Sequence, residues 1–284
     1  MKYFLGVARD ENIHRASEKL NVSPGSLSKA IARLEDELSV SLFSREGRNI
    51  RLTDHGRLFQ VRAAEIVQLE EAARLELAGH EGAIQIVIAG AEILLSELGM
   101  SVSQELKSRY PKSRFEFHAV DDDLALGQVS RGEAHLAIVT SDVPSQLGLT
   151  AKTLAEPRFQ TIVGPKHPLY SLARAGKTVA VEQVLLHPFV SPNHPLLGKV
   201  GIKQSLDGWR DDQFPRKIEF LTSSLKILEE LVTRGRALAY LPDYYAQRID
   251  AVALKISGCP YTCTQKVRLV AKNPKDRGWL GRWF

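Results

Sequence analysis

The sequence predicts an α/β protein that opens with an all-α-type winged helix-turn-helix, continues through a long linker helix, and ends in an α/β region. Three observations predict this. In residues 21–38, NVSPGSLSKAIARLEDEL, one helical pattern starts almost where another ends. Residues 57–78 contain no Pro or Gly, so 57–79 read as one long helix that GHEG (79–82) closes. From residue 83 onward, strand-like and helix-like stretches alternate.

Tyr3, Phe4, Val7 and Ala8 share one side of a first helix, and Ile13, Ala16 and Leu20 one side of a second. A turn of three to four residues leads into the third helix, where Leu27, Ile31, Leu34 and Leu38 form a single stripe expected to be buried. Its other face carries Ser26, Lys29, Ala30, Arg33 and Glu37. A turn at Glu46-Gly47 and a β-like run at Asn49–Thr53 follow. In the long helix Phe59, Ile66 and Ala73 recur at seven-residue spacing, a narrow stripe that asks for a partner helix. Beyond it, strands are expected at 83–90, 114–120, 135–142, around 158–169 and 187–192, and at 217–222, 237–242 and 265–271. Helices are expected at 93–109, 124–131 and 223–235. Such alternation argues for parallel α/β units.

The composition suits a folded, soluble chain: 284 residues, 44% hydrophobic, 25% charged, net charge +5. The basic excess permits nucleic-acid binding without demanding it. Two cysteines, Cys259 and Cys263, rule out a disulfide scaffold, and a redox pair is the minor reading of them. No apolar run reaches the roughly 18–20 residues of a membrane span, and MKYFLGVARDEN has no signal-segment pattern. We expect a cytoplasmic protein with no membrane contact.

The chemistry concentrates at the tight turn. Ser23 is a good N-cap and Pro24 fits the first helical position, where its missing N–H costs nothing. Gly25, Ser26 and Ser28 keep the helix tip narrow and polar, and Lys29 and Arg33 lie one turn apart on the exposed face. In a helix-turn-helix this tip enters the major groove. The segment behind it carries Arg45, Arg48, Arg51 and Arg57 against Glu46 and Asp54, basic charge where a wing would lie along phosphates, with Thr53 closing it. The residues alone leave two readings open: a sequence-specific DNA binder, or a small-molecule-binding protein whose N-terminal helices only dimerise. No nucleophile–base pair, metal cluster or phosphate loop is evident, so an enzyme is disfavoured and neither metal nor cofactor is expected. Asp121-Asp122-Asp123 reads as a helix-start cap. His14, His55 and His118 read as packing or surface residues.

The first 56 residues resemble the winged helix-turn-helix of LysR-type transcriptional regulators. The likeness rests on the RAS–KL helix, the VS turn, the S–I–LE–EL recognition helix, the LF–R segment and the closing LT–G. HPLYSL (167–172), HPFVSP (187–192) and GRALAYLP (235–242) extend it across the effector domain. The resemblance implies a bacterial regulator with a DNA-binding domain over 1–56, a dimerising linker helix over 57–82 and an effector domain over 83–284. That domain would have two α/β lobes like a periplasmic binding protein, lobe I about 83–157 and 265–284, lobe II about 158–264. The implied partners are a promoter palindrome, a second copy (homodimer or dimer of dimers), a small effector and RNA polymerase. Ser23, Pro24, Gly25, Ser26, Ser28, Lys29, Arg33, Arg45, Arg48, Arg51 and Thr53 are the DNA candidates.

Ligands of open α/β sheets settle at the carboxyl ends of strands. The effector candidates are therefore Ala91, Glu92, Ile93, Thr140, Ser141, Ser191, Pro192, Thr222, Ser223 and Pro242. Three departures from the family pattern stand out. Ser23-Pro24-Gly25 replaces the usual Ser-Gln-Pro, Ala91-Glu92 stands where Ser or Thr is common, and His135 replaces an Asp.

Overall fold

The computed structural model describes residues 1–284 except 47–48, 79–84, 145–147, 199–204, 260, 275–279 and 281–283, and within β-strands and the linker helix it leaves out the side chains of 46, 49, 68, 71, 72 and 74–78. The N-terminal unit packs α1 (Lys2–Asp10), α2 (Ile13–Leu20) and α3 (Pro24–Leu38) around Phe4, Val7, Ala16, Leu27 and Ile31. Asn12 caps α2 by accepting the Arg15 N–H (3.0 Å). Asn21 ends α2 in the left-handed region at φ 52°, which turns the chain sharply into α3. The stripe of α3 is shorter than expected. Leu27 and Ile31 are buried and Leu34 half-buried, but Leu38 is 39% exposed, because the last turn runs past the small core beneath it.

An antiparallel pair, β1 (Phe43–Glu46) and β2 (Asn49–Leu52), forms the wing. The linker helix α4 spans Asp54–Ala78 and so starts three residues before the expected 57, with Thr53 accepting the Gly56 N–H at its head. Its first turns pack Phe59 and Ala63 into the N-terminal core, while Leu58, Ile66 and Leu69 stay exposed.

The C-terminal region forms two lobes. Lobe I contains β3 (Gln85–Gly90), α5 (Glu92–Leu94), a π-helical turn (Leu95–Gly99), α6 (Met100–Arg109), β4 (Arg114–Ala119), α7 (Asp122–Ser130), β5 (Leu136–Val139) and β6 (Leu149–Ala155). Lobe II contains β7 (Phe159–Val163), α8 (Tyr170–Arg174), β8 (Thr178–Ala180), α9 (Val181–Val184), β9 (Pro188–Pro192), β10 (Lys217–Thr222), α10 (Leu225–Thr233), β11 (Ala239–Pro242), α11 (Asp243–Ala246), β12 (Val252–Ala253) and β13 (Lys255–Ser257). The chain then returns to lobe I as β14 (Val267–Lys272).

The lobe I sheet has the order β4-β3-β5-β14-β6. It is mixed rather than parallel as expected: β3 runs parallel to β4 and β5, but β14 is antiparallel to both β5 and β6. The alternation rule presumes crossovers within one sheet, whereas β14 enters from the other lobe. In lobe II, β9 pairs in parallel with β10 and, through a bridge at Phe189 and Leu238, lies beside β11-β7-β12; β8 and β13 form a separate parallel pair. Strands β6, β8, β12 and β13 lie outside the expected strand ranges; they are short or largely exposed and carry little hydrophobic signal.

Two crossing segments join the lobes, and they pair with each other. Phe159 N–H donates to Cys263 O (2.9 Å), Gln265 N–H to Pro157 O (3.2 Å), and Arg158 bridges Thr264 in antiparallel sense. One apolar cluster runs through both lobes, from Ile86, Ile88 and Leu136 to Phe159, Trp209 and Tyr240. At its edge the Arg216 guanidinium is held by Asp207 (2.7 Å) and Asp211 (2.8 Å) and stacks on Phe189 and Trp209.

Candidate nucleic-acid and effector sites

The start of α3 presents short polar groups that are engaged locally or not at all. Ser23 accepts the Ser26 N–H (3.1 Å) and donates its hydroxyl to Ser26 Oγ (2.8 Å). Pro24 occupies the first helical position, and nothing lies within 4 Å of where a Gly25 Cβ would stand. Ser28 and Lys29 are exposed and make no side-chain hydrogen bond or ion pair among the described residues. Arg33 pairs with Glu37 (3.1 Å) in full solvent, a contact that water screens and a phosphate can replace.

Behind the tip, Arg45 is exposed on β1. Arg51 is exposed on β2 but donates to Glu11 (2.8 Å). Arg48 lies outside the described residues. Thr53 donates to Ser41 O (2.7 Å) as well as capping α4, so its hydroxyl braces the wing. Two acids outside the DNA candidates hold this geometry. Glu35 accepts the Leu42 and Phe43 N–H groups (2.6 and 3.0 Å), locking α3 to β1. Glu11 accepts the Leu52 N–H (3.1 Å), locking α1 to β2. No local signal marks them, because their partners lie 7 to 41 residues away.

The effector candidates fall at strand ends, in different states of engagement. Thr140 and Ser141 follow β5 with their backbone clamped on both sides. Asp122 accepts both N–H groups (2.9 and 2.7 Å) and the Thr140 hydroxyl (3.0 Å). Arg268 donates to both carbonyls (3.0 and 3.1 Å). The Ser141 hydroxyl oxygen is buried without a partner among the described residues. Of the three aspartates, only Asp121 is the expected cap, accepting the Leu124 N–H (2.8 Å). Asp122 is a site residue that the sequence reading missed.

Lobe II approaches this loop directly: a Cβ at Gly198, whose φ is +82°, would lie 2.6 Å from Thr140 Oγ1. Ser191 and Pro192 end β9, and Pro192 pairs in register with Thr222 at the end of β10. Thr222 Oγ1 accepts the Ser224 N–H (3.0 Å), and Ser224 caps α10. Ser223 is exposed and its carbonyl faces His194 Nε2 (3.1 Å). Ala91 caps α5 with its backbone, Glu92 is exposed, and Pro242 ends β11. Ile93 is fully buried in the lobe core. Thr140, Ser141 and Gly198 are therefore brought together, as are Ser191, Pro192 and Thr222.

Residues 1–57 match the family described as bacterial regulatory helix-turn-helix protein, lysR family, and residues 74–276 the LysR substrate binding domain. The chain belongs to the LysR-type transcriptional regulators. It is a DNA-binding regulator of transcription with an effector-binding domain. The transcriptional dual regulator GltC of Bacillus subtilis (strain 168) is 27% identical over 284 residues, covering 98% of this chain and 90% of GltC. A full-length OxyR variant from Pseudomonas aeruginosa shares the fold at TM-score 0.65 and 19% identity, covering 99% of this chain and 88% of that one. So does full-length CbnR complexed with its target DNA, at TM-score 0.55 and 18% identity, with 99% and 95% covered.

Within this LysR-type chain, the departures noted in the sequence acquire a setting. His135 Nδ1 accepts the Val87 N–H (3.0 Å), tying the turn after α7 to β3. Cys263 is buried at the crossing between lobes, and burial pushes its thiol up to about 11, far from a reactive thiolate. Lys272 of β14 reaches Glu65 of α4 (3.0 Å) and Ser130 O (2.9 Å), joining the linker helix to lobe I. Burial raises the Glu65 carboxyl, but Arg62 and Lys272 outweigh it and hold it below the usual carboxylate range. Among the described residues no helix is long and apolar enough to cross a membrane, and no His, Cys, Asp and Glu group is placed to hold a metal.

Proposed function

We propose that two copies pair through the exposed Leu58, Ile66 and Leu69 stripe of α4 and place their α3 helices in successive major grooves of an interrupted palindrome at a promoter. Dimers of dimers and contact with RNA polymerase extend the same reading, which places the protein in the cytoplasm and assigns it no catalysis, metal or cofactor. The observation that carries it is the free polar tip of α3. Ser28 and Lys29 have no competing partner among the described residues, and Arg33 has only a solvated one. With Pro24-Gly25 in place of Gln-Pro, base reading falls to Ser26, Ser28, Lys29 and Arg33, with Ser23, Arg45, Arg48 and Arg51 on phosphates and Thr53 holding the wing.

A small polar effector would sit where lobe II meets the Thr140–Ser141 loop, satisfying the Ser141 hydroxyl, with Ser191, Thr222 and Ser223 on the facing strand ends. Its binding would bias the lobes and through them the DNA-binding heads, typically by about 1–3 kcal/mol. The test is a mobility shift on DNA upstream of the protein's own gene across a salt series. Specific, salt-sensitive binding that a Lys29→Ala, Arg33→Ala double variant loses supports the proposal; wild-type binding no tighter than to random DNA refutes it.

A further inference from the structure

A second region has the makings of a binding site, well away from the strand ends. Where the N-terminal unit rests on lobe I, two cavities of about 260 and 330 Å³ adjoin. They share Arg9 of α1, Gln60 of α4, and Arg131 and Glu133 from the turn after α7. Their walls thus come from the DNA-binding head, the linker helix and the effector domain at once.

The charges there are unequally committed. Glu133 is taken by Arg131 through two bonds (2.9 and 3.1 Å). Glu11 serves Arg51 and the Leu52 N–H. Arg57 donates to Asp54 and Leu52 O. Two groups remain with capacity. The Arg9 guanidinium is half exposed; its one ion-pair carboxylate among the described residues, Asp10 at 4.0 Å, is already held by Lys19, and it acts on Glu116 and His118 only through its field, with no hydrogen bond to either. The Gln60 side chain is 6% exposed, lines both cavities, and makes no hydrogen bond among the described residues. Its amide nitrogen and oxygen are not among the sealed, unpartnered polar atoms of the described residues, so they open on the cavities, where water or a ligand can reach them. Counting Lys2, the lining holds four cations against two acids, both acids already paired.

We propose that this interdomain cavity binds a small oxyanion, a carboxylate or phosphate, gripped by the Arg9 guanidinium and the Gln60 amide N–H. A charge-assisted bond from Arg9 supplies the attraction, and the amide fixes orientation. An occupant would tie the head to lobe I, adding an input separate from the effector cleft; the proposal does not depend on that cleft being occupied.

The experiment titrates the full chain with inorganic phosphate and, separately, with succinate at constant ionic strength, reading heat of binding and melting temperature. Saturable binding of at least one is expected, weakened at least tenfold in Arg9→Gln and in Gln60→Leu and unchanged in Ser141→Ala. The two arms tell a phosphate site from a carboxylate site. Arg9 is a surface residue, so its variant reports even if Gln60→Leu does not fold. Binding of neither anion overturns the proposal. So does binding that survives Arg9→Gln, or that Ser141→Ala abolishes.

Discussion

The tip of α3 and the Thr140–Ser141 loop are made of the same short hydroxyl residues in opposite states. At the tip, Ser28 and Lys29 face solvent without partners among the described residues. At the loop, a carboxylate from one side and a guanidinium from the other hold every backbone polar group. A surface that must find its partner in a groove keeps its donors open. The loop is held rigid in advance, with one buried hydroxyl, that of Ser141, left without a partner among the described residues, as a pre-organised ligand site would be.

Four outcomes would break or sharpen that contrast, in descending effect on stability. Asp122→Ala strands two buried N–H groups and should destabilise the effector domain by about 3–5 kcal/mol in urea unfolding; a loss under about 1 kcal/mol would mean the loop is not held as drawn. A smaller effect belongs to His167 in lobe II, buried edge-on to His187 at 4.7 Å. Burial, then the His187 charge, lowers it to about 4. Its folded value lies below its unfolded one, so its neutral form favours folding. Stability should be full well above pH 6.5 and fall as pH drops toward 4, by about 3 kcal/mol at most. A His167→Gln variant should flatten that part of the profile. Ser23→Ala removes only a cap and should cost about 1 kcal/mol in the thermal unfolding of the DNA-binding unit. Lys29→Ala should change stability by less than about 0.5 kcal/mol, yet in mobility shifts weaken binding to the specific site by about 1–3 kcal/mol and relax its base preference.

The same contrast explains what could be read in the residues beforehand. The tip is local chemistry: Ser23 caps a helix three residues on, Pro24 starts it, and Arg33 points out because Leu27 and Ile31 point in. The wing and the linker helix follow from short-range cues in the same way. The clamp on Thr140 is not local. Asp122 lies 18 residues upstream and Arg268 128 residues downstream, and neither differs in pattern from an ordinary surface charge. Ile93 neighbours a strand end in sequence, yet the backbone turn after Ala91 directs it into the core. The sheet's mixed sense escaped for a related reason: nothing within Val267–Lys272 tells that this strand arrives from another lobe.

The pairing of the two crossing segments limits how the lobes can move. Separate linkers would let lobe II twist, slide or swing with little correlation. Because Phe159 is bonded to Cys263 and Gln265 to Pro157, the connection behaves as a narrow ribbon, stiff to shear and soft mainly to bending across its face. Opening and closing then follow one path with one dominant coordinate. A ligand seated between the lobes would therefore be registered as an angle of that bend.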